Sequence, residues 1–367
     1  MRRYPAFDPP EYASWAPDAE AMAEFGARVP ADLPDEPVLL RLYEGMLRTR
    51  LHDIALKRWV RQGVISKAWL GTGEEAVTVG NVHALEPSDV VGPMIRNAGA
   101  CHEMGMPVAD MLKAYLGAHD TITQGRDLHT GDPERGIIPP TSFVASLVPV
   151  FAGIAISFKL KGQSRVAMTW VGDGARWTAE FHEGLSLAAV QRAPLLLVLQ
   201  DNQVALGTRR EAHSKAGCHE MAAAYGVEGI TCDGNNVLDV HAATRRALKL
   251  CRQGRGPVLL TAATFRMGGH ATHDEAEGRA LFSAETFARW GRRDPIGTYE
   301  TWLTATRGVP AATLAAIEER VTREIDEAAE TALAGRRPKS ATEADVLRGL
   351  YSAEGAHEPA PAVIEVR

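Results

Sequence analysis

Two polar side chains each follow an apolar run, at a spacing that could bring them together. Residues 166–171 lead into Asp173, which has a glycine on either side. A second apolar run, 195–199, leads into Asn202, and 27 residues separate the Gly-Asp-Gly tripeptide from this asparagine. A strand, a helix of about fifteen residues and a parallel return strand take roughly that many residues. The pattern therefore predicts Asp173 and Asn202 as neighbours at one edge of a parallel sheet.

Such a pair could hold a divalent cation against a phosphate group. Mg²⁺ prefers oxygen ligands, usually one or two carboxylates together with phosphate oxygens. Asp173 would supply a carboxylate oxygen, Asn202 an amide oxygen and Val204 a backbone carbonyl. Gly172 and Gly174 would let the backbone approach the phosphates without a clash. Taken alone, however, a Gly-Asp-Gly tripeptide is typical of an ordinary turn, and only the flanking strands favour a cofactor site.

The surrounding elements predict an α/β fold. Apolar strands are expected at 90–91, 166–171, 195–199 and 258–264, and amphipathic helices at 178–192 and 237–253. Strands that alternate with helices indicate a doubly wound parallel sheet, which binds ligands at the carboxyl ends of its strands. The uncharged run 137–158 is interpreted as a buried helix with a polar N-terminal approach, because its prolines make it a poor membrane span.

Three regions are expected along the chain. Residues 1–37 contain seven prolines and predict an extended N-terminal arm. Residues 38–300 would form the main domain, which opens with an amphipathic helix at 38–62. Residues 301–367 would form a helical C-terminal extension and tail, with a long helix that starts past residue 309 and stops near Gly335.

Composition limits the class of protein. Apolar residues make up 45% of the 367 residues, which is enough for a sizeable core. The net charge is −6 and no long basic run occurs, so nucleic acid is a poor candidate partner. The four cysteines form no Cys-x-x-Cys pair, and the N-terminus lacks an apolar signal-peptide core. A cytoplasmic protein with reduced thiols is therefore expected.

Several short stretches resemble the alpha subunit of the thiamine diphosphate-dependent 2-oxo acid dehydrogenases of the pyruvate and branched-chain complexes. They lie at 71–76, 172–174, 181–184, 193–194, 201–203, 233–236 and 264–270, within a similarity that covers about residues 38–300. The resemblance implies a sheet of the thiamine diphosphate-binding type, with thiamine diphosphate and Mg²⁺ as cofactors. Ile95 and Asp201 depart from the family pattern, in which a tyrosine and a second asparagine are usual.

The resemblance also implies roles for individual residues. The implied cofactor contacts are Arg96, Ser142, Val144, Gly172, Asp173, Gly174, Asn202, Arg266 and His270, and the implied metal ligands are Asp173, Asn202 and Val204. His270 would orient the diphosphate or protonate intermediates, and His129 would face the substrate, so these two are the candidate catalytic residues. For Ser142 and its neighbours the simpler interpretation is that Thr141 or Ser142 caps the helix of the uncharged run. Helix capping is likewise preferred over catalysis for Glu74 and Glu75.

The implied reaction is the oxidative decarboxylation of a 2-oxo acid, pyruvate or branched-chain, with transfer of the acyl group to a lipoyl arm. The partners would be a beta subunit, in an alpha₂beta₂ tetramer, and a lipoyl acyltransferase core; no nucleic acid or membrane partner is expected. Three alternatives stay open: an acetoin dehydrogenase subunit, a transketolase-like subunit and a catalytically inert partner with the same fold.

Overall fold

The centre of the molecule is a parallel sheet of five strands, in the computed structural model that describes residues 16–335 and 342–347. The strands are β1 (Val90–Gly92), β2 (Ala167–Gly172), β3 (Leu195–Asp201), β6 (Glu228–Asp233) and β7 (Val258–Ala263), in the order β1-β2-β3-β7-β6. A separate antiparallel hairpin is formed by β4 (Val204–Ala205) and β5 (Thr208–Arg209). Every pairing in the five-stranded sheet is parallel, so the carboxyl ends of all its strands meet at one edge.

The described chain also contains fifteen α-helices. They are α1 (Ala19–Ala27), α2 (Glu36–Arg61), α3 (Glu75–Val82), α4 (Ala98–Glu103), α5 (Val108–Tyr115), α6 (Leu147–Leu160), α7 (Ala179–Gln191), α8 (Arg210–His213), α9 (Met221–Ala224), α10 (Val237–Leu250), α11 (Glu275–Ala280), α12 (Ala284–Arg292), α13 (Pro295–Ala305), α14 (Ala311–Gly335) and α15 (Glu343–Leu347). Among the described residues, no helix combines the length and the apolarity that crossing a bilayer requires.

Both faces of the sheet are covered, which explains why its central strand is apolar throughout. Leu196 and Val198 of β3 belong to a buried cluster that includes residues of α3 and α10. Leu197 and Leu199 point the other way, into a cluster with residues of α6 and α7. Because successive residues of a strand face opposite sides, a strand covered on both sides reads as a continuous apolar run. The five-stranded parallel sheet is therefore the α/β arrangement that the sequence predicts.

A second, mainly helical core lies beside the sheet. Buried side chains of α2, α13 and α14 form it, among them Leu47, Trp59, Leu303 and Val321. The predicted long C-terminal helix is confirmed as α14, and its buried residues recur at helical spacing. Residues 336–341 and 348–367 of the predicted extension lie outside the described chain.

Two predictions about the fold are wrong in part. The N-terminal arm is not simply extended, because Ala19–Ala27 form a helix whose N-terminus is capped by Asp18; residues 1–15 lie outside the described chain. Phe25 anchors that helix against Trp302, with ring centroids 6.2 Å apart. The uncharged run is not a fully buried helix either. Its helix starts at Leu147, after the predicted polar approach, but one side of the helix is open, since Val150 is 48% exposed.

Candidate active site at the carboxyl edge of the sheet

Asp173 follows β2 directly and lies buried at the carboxyl edge. Its Oδ1 accepts a hydrogen bond of 2.8 Å from the backbone N–H of Gly174. Its Oδ2 is buried and accepts no hydrogen bond from the described residues, although Nε2 of His213 lies 3.7 Å away. Burial raises the pKa of this carboxyl, and Asp201 raises it further, against the effect of His213. One oxygen of Asp173 is therefore buried and free to accept, and a cation beside it would offset the cost of desolvation.

Asn202 follows the adjacent strand at the same edge. Gly172 of β2 is in register with Gln200 of β3, so the two strands end in step. The side chain of Asn202 is fully buried. Its Nδ2 donates to Oε1 of Glu74 at 3.1 Å, and its Oδ1 accepts from the backbone N–H of Val204 at 3.4 Å. The predicted crossover, β2 to α7 to β3, is confirmed, and it brings both predicted ligand residues to one edge.

Arg266 holds the loop that follows Asn202. Its Nη2 donates to the carbonyl oxygen of Leu206 at 2.9 Å, and its Nη1 lies 3.5 Å from the carbonyl oxygen of Val204. Its Nε donates to the carbonyl oxygen of Gly268 at 3.2 Å. The guanidinium is therefore engaged with backbone carbonyls, including the one predicted as a metal ligand, and it brings a buried positive charge to the edge.

Arg96 brings a second buried guanidinium to the end of β2. Its Nε lies 3.2 Å from Oε2 of Glu74, an ion pair in which the N–H is not aligned for a hydrogen bond. Its Nη2 lies beside Gly172, where a Cβ would sit only 3.0 Å from that nitrogen. A glycine at position 172 therefore leaves room for the arginine head group.

His270 is electrostatically linked to both arginines. Burial, followed by the charges of Arg96 and Arg266, lowers the pKa of His270 to about 4. Burial and then the charge of Arg96 lower the pKa of Arg266 to about 10. Neighbouring positive groups that disfavour one another's charge form a site suited to an anion. The imidazole itself is neutral near pH 7, with its buried Nδ1 making no hydrogen bond to the described residues.

The remaining predicted residues form a separate group on the loop before α6. Nε2 of His129 lies 3.4 Å from Oγ of Ser142, and its Nδ1 lies 2.7 Å from Oδ1 of Asp127. Ser142 and Val144 are exposed. Within the described residues, no hydrogen bond or ion pair joins this group to Asp173 or Asn202. The capping interpretation is wrong here, because α6 starts after Ser146 and neither Thr141 nor Ser142 caps it.

Comparison with known proteins assigns the chain to a family. Residues 43–341 match the family described as Dehydrogenase E1 component. This chain belongs to the dehydrogenase E1 component family. The resemblance predicted from the short motifs is thereby confirmed.

Several of its relatives are alpha subunits. The chain is 32% identical over 275 residues to the mitochondrial 2-oxoisovalerate dehydrogenase subunit alpha of Caenorhabditis elegans. This match covers 74% of this chain and 63% of the relative. It is 31% identical over 273 residues to the pyruvate dehydrogenase E1 component subunit alpha of Acholeplasma laidlawii, covering 74% and 76% of the two chains. A 2-oxoisovalerate dehydrogenase subunit alpha of Arabidopsis thaliana is 30% identical over 73% of this chain. The match spans only 57% to 63% of the length of the two 2-oxoisovalerate relatives.

Sequence reasoning missed three residues of this carboxyl edge, of which His213 is the first, with its Nε2 at 3.7 Å from Oδ2 of Asp173. Glu74 was predicted to cap α3, but its side chain makes no capping hydrogen bond and instead contacts Asn202 and Arg96. Gln200, the last but one residue of β3, has both polar atoms of its amide buried with no hydrogen bond to the described residues. A polar residue at the end of an apolar strand is the signal that could have identified Gln200. No local signal separates Glu74 from Glu75.

Proposed function

We propose that this chain is the alpha subunit of a 2-oxo acid dehydrogenase, which acts on pyruvate or a branched-chain 2-oxo acid together with a beta subunit. The names of its relatives, pyruvate and 2-oxoisovalerate dehydrogenase alpha subunits, support the substrate class. One observation carries the proposal: a buried carboxylate with a free oxygen, Asp173, lies at the same sheet edge as two buried arginines. A carboxylate that needs a cation and arginines that need an anion suit a metal–diphosphate pair.

The cofactors that suit this edge are Mg²⁺ and thiamine diphosphate, in a doubly wound fold of the thiamine diphosphate type. Asp173, Asn202 and the carbonyl of Val204 would hold the cation. Among the described residues, no group of three His, Cys, Asp or Glu side chains is arranged to bind a metal. The proposed ligand set contains only one such side chain, because its other donors are an amide and a carbonyl, which Mg²⁺ accepts when phosphate oxygens complete its shell.

The remaining residues of the edge would hold the diphosphate. Arg96 offers its Nη atoms beside Gly172, and Arg266 and the neutral His270 add charge and a hydrogen-bonding ring. Gly174 keeps the turn after β2 close to the β4–β5 hairpin, since a Cβ there would lie 2.4 Å from Cβ of Ala205. Bound thiamine diphosphate would supply the carbanion and the electron sink for decarboxylation.

A beta subunit would cover apolar side chains that are exposed on the turn after β2, on the β4–β5 hairpin and on the loop before α6. Phe143 is 80% exposed, Leu206 61%, Val144 59% and Trp177 46%. Large exposed apolar patches mark sites of protein interaction, and these side chains would contribute to one. The loop with His129 and Ser142 would then be completed by the partner in an alpha₂beta₂ tetramer, which passes the acyl group to a lipoyl acyltransferase core. Four free, buried cysteines support a reducing compartment such as the cytoplasm.

The test compares the chain alone with the chain purified together with its beta subunit. We expect the melting temperature of the complex to rise only when thiamine diphosphate and Mg²⁺ are both present, with about 2.7 kcal/mol of stabilisation at a hundredfold excess over Kd. Decarboxylation of pyruvate and of 2-oxoisovalerate, followed with an artificial electron acceptor, should require both chains. Full activity of the chain alone would contradict the proposal.

The same assays separate the alternatives. A preference for acetoin, or for a sugar phosphate, would replace the proposed substrate class. The absence of any thermal shift, even with the beta subunit, would identify an inert partner. Leu206→Asp, at the exposed tip of the β4–β5 hairpin, should abolish association with the beta subunit without lowering the melting temperature of the isolated chain, as measured by size-exclusion chromatography with light scattering.

A further inference from the structure

A single buried carboxylate contacts both halves of the proposed site. Glu74 lies in the turn before α3 and is 1% exposed. Its Oε1 accepts a hydrogen bond of 3.1 Å from Nδ2 of Asn202, and its Oε2 lies 3.2 Å from Nε of Arg96. Neither the metal ligands nor the diphosphate contacts proposed above include this residue.

The contact with Asn202 fixes which end of the amide faces the site. An ionised carboxylate can only accept hydrogen bonds, so the nitrogen of the amide must face Glu74. The oxygen then points the other way, where the backbone N–H of Val204 reaches it at 3.4 Å. An amide oxygen has a second lone pair, which leaves it able to bind a cation. A flipped amide would instead present N–H groups to the metal and lose both contacts.

The contact with Arg96 fixes the direction of the guanidinium. Glu74 attracts the Nε side of the guanidinium of Arg96, while Nη2 stays beside Gly172 at the end of β2. The terminal nitrogens are the pair that matches two oxygens of a diphosphate. Because Glu74 holds the arginine at Nε, the two terminal nitrogens stay directed at the carboxyl edge of the sheet.

The turn that carries Glu74 is itself held in place. The backbone N–H of Gly71 and the hydroxyl of Thr72 donate to Oδ2 of Asp53, at 2.8 and 3.2 Å. The backbone N–H of Gly73 donates to Oε2 of Glu75 at 3.0 Å. Gly73 has φ +96°, a conformation that favours glycine. Glu74 is thus presented from a rigid turn and needs no rearrangement to orient its two partners.

We propose that Glu74 is the positioning residue of this site, which sets the amide of Asn202 for the divalent cation and the guanidinium of Arg96 for the diphosphate. This inference rests on the proposed function. Residues that orient a metal ligand without touching the metal typically contribute about 10- to 100-fold to metal affinity.

Two variants and two binding constants test it, in the full chain purified with its beta subunit. The dissociation constant of Mn²⁺ is measured by the loss of its free electron paramagnetic resonance signal at saturating thiamine diphosphate. The dissociation constant of thiamine diphosphate is measured by calorimetry at saturating Mg²⁺. Glu74→Ala removes both contacts and should weaken both ligands by about 10- to 100-fold. Glu74→Gln keeps an acceptor for Asn202 but puts an amide against Arg96, so Mn²⁺ affinity should stay closer to wild type than thiamine diphosphate affinity.

The control is Glu86→Ala, which removes another glutamate that lies 3.2 Å from an arginine Nε, that of Arg252, but outside the carboxyl edge. It should leave both constants unchanged. Circular dichroism and melting curves check that each Glu74 variant folds, and Glu74→Gln preserves volume if the alanine variant does not. Unchanged or tighter binding in a folded Glu74 variant would overturn the positioning role. A wild-type complex that binds neither probe would instead overturn the proposed function.

Discussion

Glu74 and Glu75 are adjacent, identical in type and both buried, yet they belong to two different kinds of charged region. Glu75 pairs with Arg50, whose Nη2 also lies 2.9 Å from Oδ1 of Asp294. Burial alone would lower the pKa of Arg50, but Asp294 and Glu75 more than reverse this effect. We call Arg50, Glu75 and Asp294 the closed cluster, since a fully buried arginine meets two carboxylates there.

The carboxyl edge is the opposite case, and we call Asp173, Arg96, Arg266 and His270 the open cluster. Burial raises the pKa of Asp173, as it does that of Glu75 in the closed cluster. The cationic groups make the difference, because the pKa of Arg266 and of His270 is lowered while that of Arg50 is raised. Buried charges that lack partners cost stability unless a ligand supplies them. The contrast indicates that the closed cluster stabilises the fold while the open cluster is arranged for a bound ligand.

The largest expected effect is on the closed cluster. Arg50→Met leaves two buried carboxylates without their cation and should lower the free energy of unfolding by about 3–5 kcal/mol. The matched control on the same helix is Arg58→Met, which breaks the half-exposed pair with Asp326 and should cost about 0–1 kcal/mol. Urea denaturation measures both. An equal loss of unfolding free energy in the two variants would show that the closed cluster stabilises the fold no more than a surface ion pair does.

Asp173→Asn probes the open cluster. The stabilisation of the complex by thiamine diphosphate with Mg²⁺ should disappear, with a loss of cofactor affinity above about 100-fold, the upper range for residues that only support a metal ligand. The ligand-free melting temperature should stay the same or rise, because the variant removes a carboxylate whose burial is uncompensated. A clear drop in ligand-free stability would place Asp173 with the closed cluster instead.

Gly172→Ala tests the room left for Arg96. A Cβ at 3.0 Å from Nη2 of Arg96 should push the guanidinium aside and weaken thiamine diphosphate binding severalfold, with little change in melting temperature because the arginine is flexible. Gly26→Ala, in α1 and with no atom within 4 Å of its added Cβ, is the control and should leave binding unchanged. Calorimetric titration of the purified complex distinguishes them.

The smallest effect concerns the charge state of His270. Its ordinary pKa is near 6.5 and its folded pKa is about 4, so the unfolded chain binds a proton first as the pH falls. His270 therefore contributes stability above pH 6.5 that is lost between about pH 6.5 and about pH 4. An NMR titration should place its midpoint near pH 4, and added pyrophosphate should raise it by offsetting the arginines. A midpoint near 6.5 without ligand would show that neither burial nor the two arginines disfavours the charged imidazole.

Much of this arrangement could be predicted from local patterns. The apolar runs of β2 and β3 and the helical spacing of α7 fixed the crossover, and the register of Gly172 with Gln200 follows from it. The edge strand β6 was missed, because only Ile230 and Cys232 of its side chains are buried and the alternation is short. The helix Ala19–Ala27 was not predicted, because the prolines on both sides of it favour an extended chain.

The different roles of the two glutamates could not be predicted. The hydrogen-bond partner of Glu74 is 128 positions away along the chain, and Arg50 is 25 positions from Glu75. Which side chain meets which partner is decided by how α2, α3 and the sheet pack together. The two residues are of the same type and adjacent in the sequence, so only the tertiary structure separates the site residue from the structural one.

Trp177 also gives the open cluster a built-in optical signal. Its indole is 46% exposed on the turn that follows Asp173, with the guanidinium of Arg176 at 4.9 Å from the ring, whereas Trp170 in β2 is almost fully buried. Tryptophan emission shifts to shorter wavelengths when water is removed from the ring. Trp69 and Trp290 are also partly exposed, so a blue shift on binding that is lost in a Trp177→Phe variant would time the arrival of a covering chain without any added dye.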